Sequence, residues 1–256
     1  MGCPDIQIAN QETARMKKQT GFTLIEIMLA LLIGLIVVAA TISIYITTIR
    51  GSSDIVKSAR LNHDMDSALA LIVNDIRRAG YWAGAMVGSD SRDNPFTEPG
   101  TTDLQIPSAS CVLYTYDANA SGANTLNDST DDVDANEYYG FRLSGGNIQM
   151  RSTNIDCDES GWETLNVSDG GEQVDITTLA FTESFKCLRK RLGVADQSYD
   201  TTCAAAVTAG SIVADDRVIE TREISIALAG RVNGDHAVTK NLVGRVKIRN
   251  DRIFTQ

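Results

Sequence analysis

Residues 27–49 read IMLALLIGLIVVAATISIYITTI and carry no charge. As a helix rising about 1.5 Å per residue, this stretch runs roughly 35 Å, enough to cross a hydrocarbon core of about 30 Å. Arg15, Lys17 and Lys18 precede it. Basic residues stay on the cytoplasmic side, so everything after Arg50 is expected across the membrane. A secretory signal has a shorter apolar region that ends in a small-residue cleavage site. Ala39-Ala40-Thr41 imitates such a site, but the apolar run is too long for that class.

After the polar break Gly51-Ser52-Ser53, apolar residues recur at Met65, Ala68, Leu69, Ile72, Val73, Ile76 and Ala79. These follow the i, i+3, i+4, i+7 rule of an amphipathic helix. Asp66, Asn74, Arg77 and Arg78 are expected to face outward, as is His63, and Gly80 is a C-terminal stop. One long helix, half in the membrane and half packed on a folded body, is the economical picture. The chain has no proline between 22 and 80, so a smooth helix is expected.

Beyond Pro107 the pattern shifts to strands, expected at 111–116, 138–143, 147–152, 174–185, 212–219, 223–232 and 242–248. Ser144-Gly145-Gly146-Asn147 is a two-residue hairpin turn. Ile224, Ile226 and Leu228 alternate as in a strand with one buried face. There is no internal repeat and no linker, which leaves one globular body. The fold class is α+β: a long helix laid across an antiparallel sheet with long loops.

Acidic residues outnumber basic ones, 33 to 23, for a net charge of -10. That excludes a nucleic-acid surface, which needs concentrated positive charge, and suits a soluble surface. Apart from Cys3, the cysteines are Cys111, Cys157, Cys187 and Cys203. No CxxC pair or zinc spacing occurs, and two disulfides in an oxidising compartment fit, against four buried thiols. Three connectivities are open, with the sequence-neighbour pairs Cys111–Cys157 and Cys187–Cys203 the working choice. Asp132, Asp134 and Asn136 have the opening spacing of a calcium loop. Glu137 stands where that loop needs glycine and Leu143 where it needs a bidentate acid, so an EF-hand is excluded. A solvated loop is the simpler reading, and no metal or other cofactor is expected. Phosphate-binding loops, nucleophile elbows and HExxH motifs are absent, so no catalytic residue is assigned.

Glu26 breaks the apolar pattern, because an ionised side chain in a membrane helix costs about 2.5–3.5 kcal/mol at mid-bilayer and less near its edge. Thr23 and Glu26 have capping-box spacing, and the helix dipole favours a carboxylate in the first turn. Ala30 and Gly34 form a small-xxx-small pair suited to close helix approach. The run Lys17-Lys18-Gln19-Thr20-Gly21-Phe22-Thr23-Leu24-Ile25-Glu26, followed by the apolar helix, resembles the class III signal of type IV pilins. Asn74-Asp75-Ile76-Arg77-Arg78-Ala79-Gly80-Tyr81-Trp82-Ala83-Gly84 resembles the helix end of the large minor pilins of the PilW type.

The first resemblance implies a cut by prepilin peptidase between Gly21 and Phe22 and N-methylation of Phe22. It also implies that Glu26 attracts the ammonium of a neighbouring subunit's Phe22 during assembly. The leader is then 1–21, with Met16 a candidate true start. The membrane and filament-core helix is 22–50, its amphipathic continuation 51–80, and the β-rich body, a pilin-like roll, 81–256. The family would place the chain as a single-pass inner-membrane protein with a periplasmic body, and later in the pilus at the cell surface. Implied partners are other minor and major pilins, a tip adhesin, the peptidase and the inner-membrane assembly platform. The implied function is structural, priming pilus assembly at or near the tip, with consequences for twitching and adhesion. A minor pseudopilin of type II secretion shares the same signal. An anchored periplasmic ligand-binding or enzymatic domain is the third class.

Overall fold

The computed structural model describes residues 21–86, 90–119, 133–165, 174–233 and 235–256. The chain divides into two compact units, 1–53 and 54–256. A single helix, α1, runs over Leu24–Ile76, and the Gly51-Ser52-Ser53 break is helical. In the first unit every described residue is exposed. This part of α1 is long and apolar enough to cross a membrane. Three of its hydroxyls are satisfied internally: Thr41 donates to the Val38 carbonyl, Thr47 to the Ser43 carbonyl and Thr48 to the Ile44 carbonyl, at 2.8–2.9 Å. Such back-bonding removes the cost of a bare hydroxyl in hydrocarbon.

In the second unit, the α1 residues Leu61, Met65, Ile72 and Ile76 are fully buried, with Ala68, Leu69 and Val73 partly buried beside them. The stripe therefore begins one turn before Met65, where the sequence pattern started. The strands form two antiparallel sheets rather than one. The first has the order β1 (Gln105–Ser108), β2 (Cys111–Thr115), β3 (Tyr138–Ser144), β4 (Asn147–Arg151), β5 (Glu163–Thr164). β3 and β4 are joined at Gly145-Gly146, and Ser144 pairs with Asn147. In the second sheet, β6 (Val174–Arg191) lies between β7 (Val194–Tyr199) and β8 (Arg217–Val232). β9 (Asp235–Lys247) and β10 (Arg252–Thr255) both pair with β8.

The strands expected at 212–219 and 223–232 do not exist as two. β8 runs continuously through 220–222, and residues before Arg217 form a turn. Val213 N–H donates to Asp216 Oδ2 at 2.9 Å, and Asp215 takes φ 69°. Ile212 enters a satellite core with Cys187, Cys203, Ala206 and Val218, so its burial comes from that cluster and not from strand alternation. The short helix α2 (Cys203–Thr208), capped by the Thr202 hydroxyl, joins the same cluster.

Both sheets meet α1 in one core. Tyr114, Phe141 and Ile148 from the first sheet join Leu179, Phe181, Ile224, Ile226 and Leu228 from the second. Gly230 is required for that contact, since a Cβ there would lie 2.7 Å from Met65 Sδ. Disulfides link Cys111 to Cys157 and Cys187 to Cys203, one fastening the first sheet and one the satellite core. The fold is α+β, with α1 packed on antiparallel sheets, in agreement with a pilin-like architecture.

Candidate functional site

At the start of α1, Thr23 and Glu26 make the capping box that their spacing predicts. Glu26 Oε2 accepts from the Thr23 amide at 3.0 Å and from the Thr23 hydroxyl at 2.9 Å, while Glu26 N–H reaches Thr23 Oγ1 at 3.4 Å. All three bonds leave Glu26 Oε1 without a partner among the described residues. Phe22 precedes the cap and is 83% exposed. Gly21 is exposed and outside any helix or strand, and among the described residues nothing lies within 4 Å of where its Cβ would be. At four-residue steps, Phe22, Glu26, Ala30 and Gly34 share one helix face. The start of α1 is thus preceded by an exposed Gly21-Phe22 and carries a carboxylate with one oxygen engaged and, among the described residues, one open.

The other end of α1 is fastened by the 74–84 run. Asp75 Oδ2 accepts from the Tyr114 hydroxyl at 2.6 Å, and Oδ1 accepts from the Tyr116 hydroxyl at 3.1 Å. Arg78 lies 4.0 Å over the Tyr116 ring, which stacks on Tyr139 at 4.1 Å. Burial, helped by the Asp75 charge, pushes the Tyr114 phenol well above its usual range, so it remains a donor. Gly80 reverses the chain at φ 70°, its N–H donating to the Thr115 carbonyl at 2.9 Å. A side chain there would be strained and would press on Thr97. The residues that carried the resemblance therefore build a helix terminus. The run alone did not reveal that Asp75 takes two tyrosines, because the partners lie about 40 residues onward.

Nearby, Arg222 joins three acids: it pairs with Asp103, with Glu220 at 3.3 Å and with Glu183 at 3.7 Å. Burial, opposed by Arg222, raises Glu183 to about 7. Burial also raises Asp103 despite the same arginine. Of the calcium-loop residues, Asp132 lies outside the described residues. Asp134 and Glu137 close a tight turn instead, Glu137 N–H donating to the Asp134 carbonyl and Asp134 N–H to Glu137 Oε2 at 3.0 Å. Among the described residues no group of three metal-ligating side chains converges. Sequence reasoning also missed Arg151, which ends β4 and is 4% exposed. A charged residue after a short apolar alternation gave no sign of burial.

Two family models match the chain. Residues 16–42 match the prokaryotic N-terminal methylation motif, which spans Gly21, Phe22 and Glu26. Residues 54–248, well over half of the chain, match prepilin peptidase-dependent protein B. No curated protein and no solved structure matches at a significant level. The chain is a type IV pilin-like protein whose anchor and signal imply processing by prepilin peptidase and pilin-type partners. On this evidence it belongs to the prepilin peptidase-dependent protein B family.

Proposed function

We propose that the chain is a minor pilin of the PilW type, a non-enzymatic subunit that primes type IV pilus assembly and sits at or near the pilus tip. The observation that carries this reading is the methylation motif at 16–42 joined to the family body at 54–248. In this scheme the leader 1–21 is removed after Gly21 and Phe22 is N-methylated. The body then faces the periplasm while the helix waits in the inner membrane. The assembly platform draws the helix into the fibre beside other pilins, and a tip adhesin caps the complex.

Glu26 gives the step its physical basis. Its Oε2 keeps the helix capped while its Oε1 accepts the ammonium of a neighbouring subunit's Phe22. Two charges that are expensive in the bilayer are thereby neutralised together. Glu26→Gln tests this, since an amide oxygen can still cap but cannot neutralise an ammonium. The variant is expected to be processed normally and to be absent from sheared filaments. Incorporation at the wild-type level refutes the charge pairing.

Gene deletion tests the wider reading: loss of surface pili and twitching, with the chain present in sheared filaments at low stoichiometry, is expected. Normal pili with an exoprotein retained in the cell assign the chain to type II secretion instead. Function that survives replacement of the anchor points to a tethered ligand-binding or enzymatic domain.

A further inference from the structure

Arg151 is almost completely buried and forms no ion pair with any carboxylate among the described residues. Its Nε donates to the Tyr139 carbonyl at 2.9 Å, one terminal nitrogen donates to the Ile155 carbonyl, and the Tyr138 ring lies 5.8 Å away. Those bonds pin the 152–156 loop to β3. They engage only part of the guanidinium, and the Asp156 carboxylate acts on its charge through space without an ion pair. Burial lowers Arg151 to about 10, so it is still charged at neutral pH. An unpaired buried charge is costly unless a counter-charge arrives.

Arg151 lines a cleft of about 380 Å³ between the 100–103 turn, β3 and the 154–156 loop, more than ten times the roughly 30 Å³ share of one water. Two acids border the cleft, and among the described residues neither forms an ion pair with Arg151. Asp103 is held by Arg222, and Asp156 is exposed on the rim. Tyr138 and Asn154 line the same cleft, and their side chains make no hydrogen bond among the described residues. The walls are preorganised. Cys157, next to the loop, is bonded to Cys111, and the Asp156 carbonyl accepts from Trp162 Nε1 at 3.0 Å.

We propose that this cleft is a binding site for a carboxylate group, held by the Arg151 guanidinium with Tyr138 and Asn154 as further donors. Guanidinium and carboxylate match in geometry as well as charge, and a rigid pocket loses little entropy on binding. The carboxylate belongs either to a small free anion or to an acidic side chain of a neighbouring protein.

The test uses the full chain in detergent and follows its melting temperature in sodium acetate against sodium chloride at matched ionic strength. Acetate is expected to raise the melting temperature and chloride is not. Arg151→Gln removes the response but also unpins the loop, so Asn154→Asp is the decisive variant. It places a carboxylate in the cleft, and it is expected to melt higher without acetate and to need about tenfold more acetate for half of the remaining effect. Blocked N-acetylaspartate amide, run beside acetate, distinguishes the sources. Tighter binding of the blocked aspartate supports a protein side chain, and equal binding supports a free anion. Equal shifts in acetate and chloride, or an unchanged acetate response in Asn154→Asp, overturn the proposal.

Discussion

Replacing Tyr114 by phenylalanine removes one oxygen from the joint between α1 and the first sheet. Tyr114 is 1% exposed and donates to Asp75 Oδ2 at 2.6 Å, while the Asp75 side chain is 16% exposed. A hydrogen bond to a charged acceptor contributes about 1.5–3 kcal/mol. Its loss strands one carboxylate oxygen against an apolar wall, so Tyr114→Phe is expected to cost about 2 kcal/mol. Tyr116→Phe breaks the longer, 3.1 Å bond but keeps a ring beneath Arg78, and is expected to cost about 1 kcal/mol. Among the described residues the double variant leaves the Asp75 carboxylate with only Arg78, at 3.8 Å. Because both tyrosines serve one carboxylate, its cost should exceed the sum of the singles by about 0.5 kcal/mol or more. Trp82 and Trp162 are buried, so urea unfolding of the detergent-solubilised chain can be followed by tryptophan fluorescence. A Tyr114→Phe cost below about 0.5 kcal/mol, or strict additivity in the double variant, refutes the reasoning.

The remaining predictions concern pH and the crosslinks. Glu183 titrates near 7 in the fold against an ordinary 4.5, so the folded state holds that proton more tightly than the unfolded chain. Stability should therefore rise as pH falls from 8 toward 5 and be lost as pH climbs through 7. Glu183→Gln should flatten that slope and stabilise the chain at pH 8 by about 1–2 kcal/mol once solvent screening is allowed for, as read from urea midpoints at each pH. Below about pH 4 the trend reverses, because the Arg191 hydrogen bond holds Asp216 down to about 2. Serine replacement of the Cys111–Cys157 pair, which closes a separation of 46 residues, should cost about 4 kcal/mol. The Cys187–Cys203 pair closes 16 and should cost about 3 kcal/mol. Equilibrium unfolding of the two double-serine variants ranks them, and the reverse order would contradict the loop-closure account.

Local signals read well from the sequence where one element supplies the whole pattern. The Thr23–Glu26 box, the α1 stripe, the Gly145-Gly146 hairpin and the alternation at Ile224, Ile226 and Leu228 all depend on neighbours within a few residues. The rest depends on partners far along the chain. Ile212 is apolar at a spacing that fits a strand, yet it lies before β8 and its burial comes from the cluster of α2 and the Cys187–Cys203 crosslink. β7 is almost wholly exposed, so no burial pattern marks it. Division into two sheets is invisible because either sheet would show the same alternation. At the candidate site the order of residues revealed Glu26 and its cap, but not which oxygen the cap uses. Arg151 lacked any signal, since its burial is created by the loop that folds over it.

Met65 seats against Gly230, and that contact bears on folding as well as on packing. The apolar stripe of α1 is covered by residues of both sheets, and the pairing of β6 with β8 that supplies Gly230 joins distant stretches of chain. Closing such long loops is slow, so under the proposed function a subunit whose sheets have not closed has an interval with Leu61, Met65, Ile72 and Ile76 uncovered. During that interval the stripe is a sticky surface facing many copies of similar helices. Under the function proposed above, an anchor that holds each subunit singly until its sheets close keeps such stripes apart, and so serves folding as well as assembly.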